Sequence, residues 1–264
     1  MAELSTPIKF VRRVGERVAE ALARRGVETV EDLLYHLPFR YEDRLNPLPI
    51  RELKAGSMAS IIGEVRGSAL LRTRSMPIFE MTLGQGLDTV KCIWFNGSYL
   101  KDKFQSGQMV AVYGKLEGSR STPGKFKIIQ PQFEILPAPD SKEAEFVALE
   151  VGRIVPVYES LGGTTAWGAK LTSRWLRRVI WTLLQELQDG PAQVPETLPG
   201  AILKRLELPN RFEALQGVHF PQAGTPITQL MLAGTSAHRR LIFEELFYLE
   251  LGLELKRRRL RERA

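Results

Sequence analysis

The chain holds 264 residues, 44% of them hydrophobic and 25% charged, enough apolar material for one large or two modest packed domains and too much for a disordered segment. Lys and Arg outnumber Asp and Glu by 37 to 30, and the sequence pI of about 9.6 points to an acidic partner such as nucleic acid or a membrane surface. A single cysteine, Cys92, excludes an intrachain disulfide framework, no apolar run reaches transmembrane length, and the opening Met1-Ala2-Glu3-Leu4 lacks the features of a secretion signal, so a reducing, cytoplasmic setting is expected.

In chain order, residues 9–37 read as two helices around a turn. Val11, Val14, Val18 and Leu22 keep helical spacing, Gly26-Val27 interrupts it, and Thr29 caps a second helix running to Leu37 with Glu31 and Asp32 in its first turn. Pro38 stops that helix, and Phe39-Arg40-Tyr41-Glu42-Asp43-Arg44 runs into a proline-punctuated link, Pro47-Leu48-Pro49.

Five segments of strand character follow between Ser57 and Pro137: Met58–Arg66, Ile78–Leu83, Thr89–Phe95, Met109–Leu116 and Lys125–Ile135. A short helix, Ser98–Phe104, is expected between the third and fourth. Three strands, a helix and two strands is the connectivity of an OB-fold, a partly open five-stranded barrel whose relatives bind oligonucleotides. A small barrel without a ligand is the plainer reading of the same pattern.

Period-2 alternation divides the third strand into two faces, Val90, Cys92 and Trp94 on one and Lys91, Ile93 and Phe95 on the other. The lysine belongs in water, so Phe95 is expected outside, with Tyr99 about one helical turn further on. Two readings of the pair stay open: Phe95 caps the barrel mouth and Tyr99 packs beneath the helix, or both form a ledge on which a base stacks. Basic residues gather on two connections, Arg66, Arg72 and Arg74 about the first, and Lys115, Arg120, Lys125 and Lys127 about the last. With Lys91 they are candidates for a phosphate-binding groove, the alternative being ordinary solubilising charge.

Beyond the barrel, 137–143 has linker composition, Val151–Tyr158 is a short apolar stretch, and a helix is expected from Ser173 to Leu187. Shorter helices are expected at Ala201–Leu206 and Arg211–Gln216. A long final helix from Ser236 carries Ile242, Leu246, Leu249 and Leu253 on one face, a stripe expected to pack on something, and ends in Lys256-Arg257-Arg258-Arg259. The resulting division is 1–56 helical hairpin and link, 57–137 barrel, 138–235 linker and helical segment, and 236–264 basic helix. The fold class is α+β.

Catalytic chemistry is not legible. Gly163 to Gly168 has the glycine interval of a phosphate-binding loop, but Ala169 stands at its lysine position; near Gly118 to Gly124 the interval is one residue too long. His36, His219 and His238 are scattered and build no zinc site with one cysteine. No metal or cofactor is therefore expected on this chain.

Several blocks together carry a resemblance: Val30-Glu31-Asp32-Leu33-Leu34-Tyr35-His36-Leu37-Pro38, Phe39-Arg40-Tyr41-Glu42-Asp43-Arg44, Trp94-Phe95-Asn96, Pro156-Val157-Tyr158, His219-Phe220-Pro221, and Ala237-His238-Arg239-Arg240-Leu241-Ile242-Phe243-Glu244-Glu245-Leu246. In this order they resemble the N-terminal region of the RecG family of bacterial ATP-dependent DNA helicases. The resemblance implies an OB-fold wedge at the branch point of a stalled fork or Holliday junction, followed by motor domains that use ATP and magnesium, with branched DNA and those motor domains as partners. It carries the branch-point stacking role onto Phe95 and onto Tyr99, which some members keep as an aromatic. Arg13 stands where the family commonly has a glycine. A monomer that binds no membrane is expected. A competing reading from another class is an interaction module whose groove takes an acidic peptide, such as the tail of a single-strand-binding protein.

Overall fold

The computed structural model describes residues 3–73, 75–118, 125–137, 149–164, 171–189 and 194–262. The fold is α+β, and the backbone divides into two compact units, Met1–Glu42 with Pro156–Ala264, and Asp43–Val155. Strands β1 (Arg40–Asp43) and β8 (Ile154–Val157), where the chain passes between the units, pair as a two-stranded sheet.

The β-rich unit is built on β2 (Met58–Arg72), β3 (Pro77–Gln85), β4 (Asp88–Phe95), β5 (Met109–Gly118), β6 (Phe126–Ile129) and β7 (Gln132–Ile135). The sheet order is β2-β3-β4-β6-β5-β7, and β2 also pairs with β5, so the ladders run round a partly open barrel. All are antiparallel except β4–β6. β2 reaches six residues beyond the Arg66 boundary read from sequence, because it serves two ladders in turn. Its first half pairs with β5 and its second with β3, with a bulge between Val65 and Gly67 that bends it from one to the other.

Alternation places Ile61, Val65, Phe79, Met81, Leu83, Val90, Cys92 and Trp94 inside. One end of this core is aromatic: Phe79, Trp94, Phe104 and Phe133 have ring centroids 5.0–6.0 Å apart. Burial also raises the Cys92 thiol pKa, keeping it an unreactive core group.

Two further elements of this unit differ from the sequence reading. The expected last strand, Lys125–Ile135, is two strands, because Gln130 is left-handed (φ 51) and Pro131 has no N–H for a ladder. Its first piece pairs with β4 and β5, its second with β5 alone. The expected helix Ser98–Phe104 is a single 3-10 turn, Gly97–Leu100. Leu100 and Phe104 both turn into the core, and the turn lies so close to β3 that a Cβ on Gly97 would meet the Phe79 Cβ at 2.5 Å.

The block ending in Arg44 anchors this unit. The buried Arg44 guanidinium donates to the Glu150 carbonyl (3.0 Å) and to Gln132 Oε1 (2.8 Å), pairs with the Glu150 carboxylate (3.5 Å) and lies 3.8 Å from the Tyr113 ring centroid.

The helical unit contains α1 (Glu16–Ala23), α2 (Val30–Leu34), α3 (Ser173–Asp189), α4 (Gly200–Leu206), α5 (Arg211–His219), α6 (Ile227–Met231) and α7 (Ser236–Arg261). Thr29 caps α2 as expected, in a reciprocal capping box with Asp32. That helix ends at Leu34 rather than Leu37, since the residue before a proline is pushed away from helical geometry. Val11 and Val14 are buried but precede α1, because Arg13 is left-handed (φ 71) and Ile8–Phe10 forms a separate 3-10 turn. This conformation suits glycine, the residue the resemblance leads one to expect there.

The far-apart sequence blocks meet in this unit as a polar network. Arg211 pairs with Glu31 and donates to Tyr35 Oη (3.0 Å), while Arg240 pairs with Glu244 (2.8 Å) and with Glu196. His219, wholly buried, donates from Nε2 to the Leu34 carbonyl (2.7 Å) and accepts from Tyr158 Oη at Nδ1 (2.9 Å). Gly163, in the stretch with phosphate-loop spacing, packs on α1: a Cβ there would meet the Ala21 Cβ at 2.5 Å. Residues 165–170 and 119–124, the remainder of the two glycine stretches, lie outside the described residues, as does most of the expected linker. On α7, Ala237, Arg240, Leu241 and Glu244 are buried, whereas the stripe Ile242, Leu246, Leu249 and Leu253 is exposed. No described helix is long and apolar enough to cross a membrane.

Candidate nucleic-acid interface

The face of interest is made by the ends of β2, β3 and β4. Trp94 and Phe95 are adjacent in sequence and opposite in fate: Trp94 is 2% exposed and Phe95 39%. Trp94 is fixed inside by its ring neighbours and by an Nε1–H bond to the Pro131 carbonyl (3.0 Å). That anchoring, with strand alternation, turns Phe95 outward.

Phe95 is not isolated on its face. It pairs across the ladder with Ile78, which pairs with Leu71, and directly opposed residues in antiparallel strands share a face. Leu71, Ile78 and Phe95 therefore form an apolar row across three strands, with Leu71 exposed and Ile78 half-buried. Alternation in the third strand alone could not reveal this row, which depends on the register of two further ladders.

After Phe95 the backbone reverses through left-handed Asn96 (φ 54) into the 3-10 turn, where Tyr99 is 66% exposed. The reading in which Tyr99 packs beneath a helix is not what the fold shows, since the short turn leaves its ring exposed. Both rings are open to solvent on consecutive elements.

The basic candidates fall into three groups. Lys91, Arg66 and Lys127 are already paired with carboxylates, Lys91 with Glu80 (2.6 Å), Arg66 with Glu64 (3.3 Å) and Lys127 with Glu117 (3.5 Å). Lys91 and Lys127 are cross-strand partners, so the two pairs lie beside each other on the outer sheet face. Arg72, Lys115 and Lys125 are exposed and make no ion pair among the described residues. Arg72 ends β2 beside a tip held by Thr73, whose Oγ1 donates to the Met76 carbonyl (2.7 Å). Lys115 pairs with Met58, at the opposite end of β2. Arg74 and Arg120 lie outside the described residues.

The chemistry offered is thus two exposed π-faces and an apolar row with Arg72 beside them, while Lys115 and Lys125 lie toward the far ends of β2 and β4. That set matches unpaired bases and phosphates. No group of three or more His, Cys, Asp or Glu side chains among the described residues is arranged to hold a metal ion.

A family model described as the RecG wedge domain matches residues 7–180. The chain belongs to the RecG wedge domain family. It is 30% identical over 254 residues to the ATP-dependent DNA helicase RecG of Thermotoga maritima, covering 96% of this chain and 29% of that one. The Escherichia coli RecG is 31% identical, with 94% and 33% covered, and that of Streptococcus pneumoniae 28%, with 96% and 33% covered. A solved structure of RecG bound to a three-way DNA junction superposes with a TM-score of 0.73 at 29% identity, covering 100% of this chain and 32% of that one. The chain spans about a third of the length of these RecG relatives. In this RecG wedge, the blocks that carry the resemblance divide sharply. Trp94-Phe95-Asn96 builds the aromatic face, whereas Glu31, Tyr35, Arg44, His219, Arg240 and Glu244 are spent on internal polar contacts.

Proposed function

We propose that this chain is the branch-engaging wedge of a RecG-type DNA helicase, acting on stalled forks and Holliday junctions. Phe95 and Tyr99 stack on bases freed where the arms part, and Arg72, Lys115 and Lys125, with Arg74 and Arg120, contact phosphates of the arms. Lys91, Arg66 and Lys127 join them by exchanging their carboxylate partners for phosphate. The single observation that carries the reading is the outward Phe95 ring beside the buried Trp94, with Tyr99 open on the next turn. The likeness to a RecG structure solved on a three-way junction supports it. Strand separation would need motor domains, which in this proposal lie in the two thirds of the RecG relatives that this chain does not cover, and ATP and magnesium would act there.

Fluorescence anisotropy of the chain with a three-way junction, plain duplex and single strand tests the reading. The junction is expected to bind most tightly, and Phe95→Ala to weaken it by about 1–3 kcal/mol, with a smaller loss on duplex, whose bases are already stacked. Equal affinity for all three DNAs, or an unchanged junction affinity in Phe95→Ala, would refute it. An acidic peptide that displaces the junction without any effect of Phe95→Ala would instead favour the peptide-binding module.

A further inference from the structure

We propose that Gln130 is a positioning residue for the aromatic face, holding the end of β4 so that Phe95 keeps the orientation that receives a base. The inference rests on the function proposed above.

Three consecutive residues of β4 are tied to one corner of the chain. The Gln130 backbone N–H donates to the Ile93 carbonyl (2.7 Å), the Trp94 indole N–H donates to the Pro131 carbonyl (3.0 Å), and Gln130 Nε2 donates to the Phe95 carbonyl (3.2 Å). The β4–β6 ladder ends at the pair Ile93 and Ile129, two residues short of Phe95. The β3 ladder holds the other edge of β4 as far as Phe95, and the Gln130 side chain extends the hold on this edge past the point where pairing with β6 stops.

It does so from a left-handed backbone (φ 51), a conformation that disfavours glutamine and suits glycine. Gln130 is exposed and contributes nothing to the core, so stability alone would be served better by glycine here. Among the described residues its side chain has one hydrogen-bonding partner, the Phe95 carbonyl. The residue immediately after Phe95 is the left-handed Asn96, where the chain reverses into the turn of Tyr99. A loose Phe95 carbonyl would let that reversal swing and carry both rings with it.

Two substitutions in the 264-residue chain separate positioning from a structural role. Gln130→Gly removes the side-chain donor while relieving the backbone, and Gln130→Met removes the donor while keeping length and chain stiffness. Both are expected to weaken binding of a fluorescent three-way junction about 3- to 10-fold, less than Phe95→Ala. Gln130→Gly is expected to do this with an equal or higher melting temperature, which a merely structural role would not produce. In a Phe95→Ala background, either change is expected to alter junction affinity by less than about 1.5-fold, since the group being positioned is gone.

Unchanged junction affinity in Gln130→Met would overturn the inference while leaving the stacking role of Phe95 intact, provided that Phe95→Ala still weakens binding. A full loss persisting in the Phe95→Ala background would also overturn it, by showing that Gln130 touches DNA itself. An unaffected Phe95→Ala chain would sink the stacking reading and this inference together.

Discussion

At the scale of single residues, neighbours with similar chemistry carry opposite burdens. Trp94→Ala removes a ring that packs against Phe79, Phe104 and Phe133 and orphans the Pro131 carbonyl. It is expected to lower stability by about 3–5 kcal/mol, measured by urea titration. Phe95→Ala should move the same titration by well under about 1 kcal/mol, because an exposed side chain leaves no cavity. The reverse ranking would mean that the strand faces are exchanged. His219 supplies a second residue-level test. Burial lowers its pKa from 6.5 to about 4, because neither Leu34 nor Tyr158 offers a negative charge to hold a proton. The unfolded chain takes up that proton below pH about 6.5 and the folded chain does not, so stability is complete above that value and falls as the pH drops toward 4. The loss is on the order of 3 kcal/mol. The partly buried His238, also lowered by burial, adds in the same direction. His219→Gln, which keeps a donor and an acceptor, should flatten most of this slope between pH 7 and 4.5, and an unchanged slope would assign it elsewhere.

At the scale of elements, what was legible followed from local chemistry. The β4 faces were readable because Lys91 fixed which side met water, and the α2 start because Thr29 and Asp32 are three residues apart. The break of the last strand was not, although Pro131 stood in the middle of the run. A proline is compatible with an edge strand, and left-handed glutamine has no sequence signature. The helix expected over Ser98–Phe104 is cut to one turn, and nothing in that stretch says how near β3 lies. The apolar row Leu71, Ile78 and Phe95 needed two registers that no single strand contains. That close approach yields a test of the turn itself. Gly97→Ala would bring a Cβ to 2.5 Å from the Phe79 Cβ and 3.3 Å from that of Trp94. It is expected to cost about 1–3 kcal/mol and to shift the turn that carries Tyr99. A variant with wild-type melting temperature would show that the turn yields freely.

At the scale of the molecule, the helical unit is held by charges inside as well as by its apolar core. The Arg240 side chain is fully buried between Glu196 and Glu244, while Arg211 links Glu31, Tyr35 and Glu244. Arg240→Ala takes from the nearly buried Glu244 carboxylate its nearer guanidinium, leaving Arg211 at 3.8 Å, and is expected to cost about 2–4 kcal/mol, read from urea titration of the helical circular dichroism signal. A midpoint within about 0.5 kcal/mol of wild type would demote the network to ornament. Glu31, Tyr35, Arg240 and Glu244 stand in the blocks that carry the resemblance, but Arg211 and Glu196 do not, and nothing local marks Glu31 and Arg211 as partners so far apart in the chain.

That long closure bears on how the chain is made. One unit consists of a continuous segment, Asp43–Val155, and the other of the two segments on either side of it. A ribosome delivers residues in order, so the β-rich unit has its whole sequence in hand as soon as Val155 emerges, whereas Val30, Leu33 and Leu34 of α2 must wait for α3 and α5. Tyr35 waits longer still, until Glu244 arrives to accept from its hydroxyl. For that interval the apolar N-terminal segment, first to emerge, stays uncovered while the barrel that follows it can already fold, the kind of transient exposure from which aggregation starts.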